Sequence, residues 1–121
     1  MNTSTLFGAS FDARHAANLA QFWAAALGRE LADGADADNA VVLPADIAAT
    51  GPRLAFHRVP EPKTAKNRVH FDLITNDIEA ESTRLTSLGA TKLTSHDGQA
   101  HWVTFADPEG NEFCLLQARL S

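Results

Sequence analysis

"HWVTFADPEGNEFCLL", residues 101–116, reads as strand, turn, strand. Asp107-Pro108-Glu109-Gly110-Asn111 has the ingredients of a tight reversal. On either side of it, 101–106 and 112–117 carry the alternation of half-buried strands. Cys114, the chain's only cysteine, stands in the middle of the second of these strands. A lone thiol there either fills space or takes part in chemistry, and the rest of the chain bears on which.

Upstream of this segment lies a complete structural unit. "RVHFDLIT", 68–75, alternates as a strand, with Val69, Phe71 and Leu73 on one face and His70, Asp72 and Ile74 on the other. "NDIEAESTRLTSLGA" follows as a helix. Asn76 with Glu79 resembles a capping box, Ile78, Leu85 and Leu88 form the apolar stripe, and Gly89 is the stop. Strands at 90–94, 101–106 and 112–117 complete the unit, the first two joined across "SHDGQ". The first half repeats the order. "STLFGASF", 4–11, is a strand with Phe7, Ala9 and Phe11 on one face, and Asp12 precedes a helix. Leu19, Phe22, Trp23, Ala26 and Leu27 line one face of that helix, and Gly28 ends it. Strands at 29–33, 39–44 and 53–59 follow, separated by "DGADADN" and "ATGP". Both helices end in Leu-Gly, at 27–28 and 88–89. The chain is thus expected to hold two strand–helix–strand–strand–strand modules, 4–59 and 68–118. The proline-bearing segment 60–67 links them, and neither half is large enough for a sufficient core alone.

Composition narrows the function classes. A chain of 121 residues, 45% hydrophobic and 21% charged, suits one soluble globular domain. The net charge of −5 lacks the basic footprint of a nucleic-acid binder. One cysteine cannot close an internal disulfide, so a reducing cytoplasm is the expected compartment. The first residues show no signal-peptide pattern, and no apolar run approaches the roughly 20 residues that span a bilayer.

With these elements in place the sequence resembles the vicinal oxygen chelate superfamily: glyoxalases, bleomycin-resistance proteins and extradiol dioxygenases. It is most similar to the small glyoxalase-like domains of bacteria. The resemblance rests on "NLAQFWAAALGREL" (18–31), "PRLAFHRVPEPKTAKNRVHFDL" (52–73) and "HWVTFADPEGNEFCLL" (101–116). It implies an α+β fold of two βαβββ modules, forming a curled mixed sheet around a cavity, and it implies a homodimer. In metal-using relatives one ligand comes from the first and one from the last strand of each module, usually His, Glu or Gln. Carried over position by position, these places fall on Gly8, His57, His70 and Cys114. Glycine cannot ligate, and cysteine stands where those enzymes have Glu.

The candidates are therefore His57, His70 and Cys114 as ligands of a divalent metal ion, with His70, Asp72, His57 and Trp102 as contacts of a small organic molecule. Two imidazoles, a thiolate and a water make an acceptable zinc site. Against that, free cysteine is among the most buried residue types, so Cys114 is read first as cavity wall. Asp72, on the same strand face as His70, offers a metal-free acid/base pair. His15 at a helix start, His96 in a turn and the charges of Lys63, Lys66 and Arg68 read as solvated, Trp23 as core. "DGADADN" lacks the glycine and glutamate of a calcium loop and reads as a solvated loop. The leading expectation is a domain that binds a small organic molecule without the full metal site. The alternative is a metal-dependent lyase, isomerase or dioxygenase using His57, His70 and Cys114. Whether the chain is an enzyme at all stays open at this point.

Overall fold

The computed structural model describes residues 2–45, 52–96 and 101–118. The chain divides into two compact units, Met1–Pro62 and Lys63–Ser121. The architecture is α+β, each unit a mixed sheet with one long helix. No helix among the described residues is long and apolar enough to cross a membrane.

The first unit runs β1 (Gly8–Ala13), α1 (Ala16–Leu27), β2 (Asn39–Val42) and β3 (Arg53–Arg58). Its sheet order is β1-β3-β2, with β1 parallel and β2 antiparallel to the central β3. The period-3.6 stripe of α1 buries Leu19, Phe22, Trp23 and Ala26, together with most of the intervening alanines. Phe11 stacks on Phe56 with ring centroids 4.9 Å apart and lies 6.4 Å from Trp23, so sheet and helix share one aromatic core. Gly28 ends α1 at φ 65°, and Arg29 N donates to Ala24 O at 2.9 Å, the six-to-one bond of a Schellman stop.

Several expectations are corrected in this unit. The strand expected at 29–33 reduces to one antiparallel bridge, Leu31 with Val42. It is flanked by the bonds Ala32 N to Val41 O and Leu43 N to Glu30 O, so the described residues of the unit form three strands where four were expected. The first strand starts at Gly8 instead of residue 4, because its ladder partner begins at Arg53, which pairs with Gly8. Phe7 therefore lies outside the core and exposed, with the Arg53 guanidinium 5.0 Å from its ring centroid. The helix cap is His15, whose Nδ1 accepts from Asn18 N at 3.2 Å. "DGADADN" is more than a solvated loop. The carbonyls of Ala37 and Asp36 accept from Ala16 N and Ala17 N, satisfying amides that the first turn of α1 leaves unpaired.

The second unit runs β4 (Phe71–Thr75), α2 (Ile78–Leu88), β5 (Thr91–His96), β6 (Trp102–Ala106) and β7 (Glu112–Gln117). Its sheet order is β4-β7-β6-β5, with β4 parallel to β7 and the other pairs antiparallel. Phe105, Phe113, Val103 and Leu115 form the buried face, together with Ile78 and Leu85 of α2. Phe105 and Phe113 stack at 5.5 Å. Leu88 of the expected stripe is only half-buried. The cap of α2 is Asp77, whose Oδ1 accepts from Ala80 N at 3.1 Å. Asn76 instead supplies a carbonyl to Gln117 Nε2. His70 precedes β4 and does not lie within it, since the ladder begins at Phe71. The expected turn "SHDGQ" falls largely on 97–100, and "ATGP" largely on 46–51, outside the described residues.

Candidate functional site

Strand alternation sends the core residues of the second sheet to the helix side and leaves the opposite face open. The registers Asp72–Cys114, Cys114–Thr104 and Thr104–Thr94 place these four residues in one row across all four strands. The next row is Ile74, Leu116, Trp102 and His96. A polar row thus runs beside an apolar and aromatic one. Cys114, Thr104, Leu116 and Trp102 are half-buried on the two central strands, while Asp72, Ile74, Thr94 and His96 are exposed on the edges. A bulge between Lys92 and Thr94 keeps Thr94 and His96 on this face.

At one end of the polar row the chemistry is concentrated. His70 Nδ1 lies 3.2 Å from Asp72 Oδ1. One donor atom each from His70, Asp72 and Cys114 all fall within 4.8 Å of one another. Thr104 Oγ1 shares a hydrogen bond with Cys114 Sγ at 3.6 Å. Along the apolar row Trp102 stacks on His96, with centroids 4.4 Å apart and planes 19° from parallel. His96 is therefore the last residue of a strand and a stacking partner, where a solvated turn residue was expected.

The Asp107 turn positions this cluster. Asp107 is 3% exposed, and its Oδ1 accepts from the backbone N–H groups of Glu109 and Asn111, both at 2.9 Å. The Asn111 side-chain amide adds bonds to both carboxylate oxygens. Asn111 Oδ1 in turn accepts from Asn67 Nδ2 at 3.1 Å. Asn67 Oδ1 accepts from Glu112 N at 2.8 Å, and Glu112 Oε1 accepts from Asn67 N at 2.9 Å. Lys63 Nζ, 3.0 Å from Glu112 Oε2, closes the set. The Asn67 backbone N–H, and then the Lys63 ammonium, hold the Glu112 carboxyl below its ordinary value. Lys63 is thus a paired residue of the second unit and not a solvated linker charge. The network fastens residues 63–67 to β7 and delivers His70 beside Cys114.

The corresponding face of the first unit is different. Asp12, His57 and Asn39 form one row, Ser10, Ala55 and Val41 the next, and Gly8 pairs with Arg53. His57 Nδ1 lies 3.0 Å from Asn39 Oδ1, beside an open hollow lined by Asp38, Asn39, His57, Arg58, Val59 and Pro60. If Gly8 answers to His70, the two registers make Ala55 the counterpart of Cys114, and His57 that of Leu116. A Cβ built on Gly8 would lie 2.7 Å from both Arg53 Cγ and Arg53 O. The side-chain direction at that place is occupied, and glycine carries no donor, so Gly8 supplies none of the four ligands of metal-using relatives. Of the residues singled out in the sequence, the structure brings together His70, Asp72 and Cys114, with Trp102 on the same face. His57 belongs to the other unit.

Sequence reasoning passed over Thr104, Ile74, Leu116, Asn67 and Glu112. Thr104 and Leu116 were within reach, because the 107–111 reversal already implies the register that sets Thr104 opposite Cys114 and Leu116 opposite Trp102, whereas Ile74 joins them only through the pairing of β4 with β7. Asn67 and Glu112 are 45 residues apart, and no local signal joins them.

Comparison with known proteins agrees with this architecture. The family model of the glyoxalase-like domain matches residues 8–116. No curated protein matches the chain. Among solved structures, the fosfomycin resistance protein FosX from Mesorhizobium loti superposes with a TM-score of 0.72 at 15% identity, covering 99% of this chain and 96% of its own. A glyoxalase/bleomycin resistance protein/dioxygenase family enzyme from Burkholderia phytofirmans PsJN gives 0.75 at 12% identity, covering 96% and 100%. A bleomycin-binding protein from Streptomyces verticillus, solved with copper(II)-bleomycin, gives 0.61 at 19% identity, covering 98% and 100%. At these identities the likeness is one of fold.

Proposed function

The chain belongs to the glyoxalase-like domain family, and from that premise we propose that it binds a small organic molecule in the family's cavity, without completing the family's four-ligand metal site. The observation that carries this is the two-row face of the second sheet. Ile74, Leu116 and Trp102, with His96 stacked on the indole, offer a flat apolar seat. Asp72, Cys114 and Thr104, with His70 beside them, offer hydrogen-bonding and charged groups one row away. Pockets for organic ligands commonly combine an apolar lining with a few placed polar groups. The favoured ligand class has a planar apolar body and one polar end. Relatives of the fold give precedent, since one of them was solved with bleomycin bound.

The test uses intrinsic fluorescence. Trp23 is buried in the first unit's core and Trp102 is half-buried on the open face, so a ligand on this face changes the emission of Trp102 alone. Chelator-treated protein is screened against small planar acids, phenols and heterocycles. Saturable quenching lost in Trp102→Phe supports the reading. Saturable binding by a ligand that Trp102→Phe and Asp72→Asn leave untouched sinks it.

A second reading, a metal-dependent lyase, isomerase or dioxygenase using His57, His70 and Cys114, is favoured by the closeness of His70 and Cys114. It requires turnover that stops on metal removal and on His57→Ala alike. Two companion proposals accompany the main one: a homodimer, read by sedimentation, and a reducing cytoplasmic location that keeps Cys114 a thiol.

A further inference from the structure

We infer that the second unit binds one zinc-like divalent ion through His70, Asp72 and Cys114 alone. This site differs from the set distributed over both modules in metal-using relatives. Its third ligand, Asp72, comes from β4 itself, and it needs nothing from the first unit. It also stands apart from the organic-ligand reading, which holds with or without an ion.

The donor set carries the argument. An imidazole nitrogen, a carboxylate oxygen and a thiolate sulfur form a borderline-soft group that suits zinc or cobalt and disfavours magnesium or calcium. The thiolate and the carboxylate together neutralise a doubly charged ion. Bond lengths of about 2.0–2.3 Å and a tetrahedral angle put neighbouring donors about 3.3–3.8 Å apart. His70 and Asp72 are already 3.2 Å apart, and all three donors are within 4.8 Å. The side chains that would close the remainder, His70 and Asp72, are 46% and 59% exposed.

The surroundings suit such a site. Asp72 and Cys114 are Cα partners in adjacent parallel strands, so their spacing is set by the ladder. Asn67, three positions before His70, is clamped to Glu112 by two bonds. Thr104 Oγ1 can donate to the sulfur, the outer contact that orients a metal-bound thiolate. Three protein ligands leave a fourth position for water or for a donor atom of a bound organic molecule.

The test is titration of chelator-treated protein with cobalt(II) and then zinc(II). Saturation near one cobalt per chain is expected, with a thiolate-to-cobalt charge-transfer band in the near ultraviolet, displaced by zinc and untouched by excess magnesium. Cys114→Ser should abolish the band. Asp72→Asn, near-isosteric at an exposed position, should keep the fold and weaken binding by at least the roughly 10- to 100-fold that loss of an outer-shell partner costs. His70→Ala should do the same, and His57→Ala should leave affinity unchanged. Absence of a saturable band overturns the site. So does a loss in His57→Ala equal to that in His70→Ala, because the first unit would then supply a ligand. Either failure leaves the fluorescence assay of chelator-treated protein untouched, so the two readings fail separately.

Discussion

Asn67 and Glu112 bind each other twice: Asn67 N donates to Glu112 Oε1 at 2.9 Å, and Glu112 N donates to Asn67 Oδ1 at 2.8 Å. The pair joins a segment ahead of β4 to the first residue of β7. His70 follows Asn67 by three positions, and Cys114 follows Glu112 by two. A reciprocal pair of this kind therefore fixes the register in which the histidine meets the thiol. It is a structural device that serves the site from one step away.

Replacing Asn67 by Ala removes the bonds to Glu112 N and Asn111 Oδ1 and leaves a backbone donor short of its partner. About 1–3 kcal/mol of stability should be lost, read by urea denaturation. Cys114 alkylation by iodoacetamide should quicken in the same variant, since the lead-in that carries His70, whose donor atom lies within 4.8 Å of those of Asp72 and Cys114, is loosened. A destabilised variant with unchanged alkylation would separate the clamp from the site.

The Glu112 carboxyl gives a pH signature. Its native-state pKa is lowered from the ordinary 4.5 by the Asn67 N–H first and by Lys63 after it. Folding therefore gains from the ionised form. That gain is fully present above about pH 4.5 and fades as pH falls through the lower native value. Glu112→Gln should cost about 1 kcal/mol at neutral pH. The gap from the parent should close on acidification. A gap that stays constant down to pH 3 would show that the carboxylate's charge contributes nothing.

Both helices, their Leu-Gly stops and the closing strand–turn–strand were legible because they are written locally, in a period of 3.6, a period of 2 and a run of turn residues. What depended on a distant partner was not. Residues 29–33 have the composition of a strand, yet Leu31 finds only Val42 to pair with, and one bridge forms. Phe7 fits the alternation of its segment, but the ladder begins one residue later. His15 was placed at the helix start but not read as its cap, because histidine is an uncommon cap. In the site, facing could be read and neighbourhood could not. His70, Asp72 and Cys114 were each singled out, while the pairing that sets Asp72 beside Cys114 required the sheet order.

Asp107 is the most constrained acid among the described residues of the second unit. It is 3% exposed and accepts from Glu109 N, Asn111 N and the Asn111 side-chain amide. Asp107→Ala strands these donors in a buried turn, and a loss of about 3 kcal/mol is expected by urea denaturation. Asp107→Asn should recover only part of it, because one amide would then face the Asn111 amide donor to donor. Equal stability of the Asn variant and the parent would mean that the turn holds by its backbone bonds alone.

Gly8 decides whether an imidazole could be added to the first strand of the first unit by one substitution. A histidine at that position would supply the missing imidazole on paper. Its Cβ, however, would sit 2.7 Å from Arg53 O, a backbone atom of the central strand, and 2.7 Å from Arg53 Cγ. The side-chain carbon can move aside. The carbonyl cannot without shifting the β1–β3 ladder, which joins Gly8 to Arg53 and runs to Ala13 with Arg58. Gly8→His should therefore cost about 1–3 kcal/mol, in the range of overpacked sites, and bring no gain in metal affinity. Gly8→Ala separates the causes: the clash begins at Cβ, so alanine should be destabilising as well. Thermal melts of both variants, beside cobalt titration of the histidine variant, provide the check. A histidine variant that melts with the parent and binds cobalt more tightly would show that β1 can yield, and that the first unit lacks its ligand by sequence alone and not by packing.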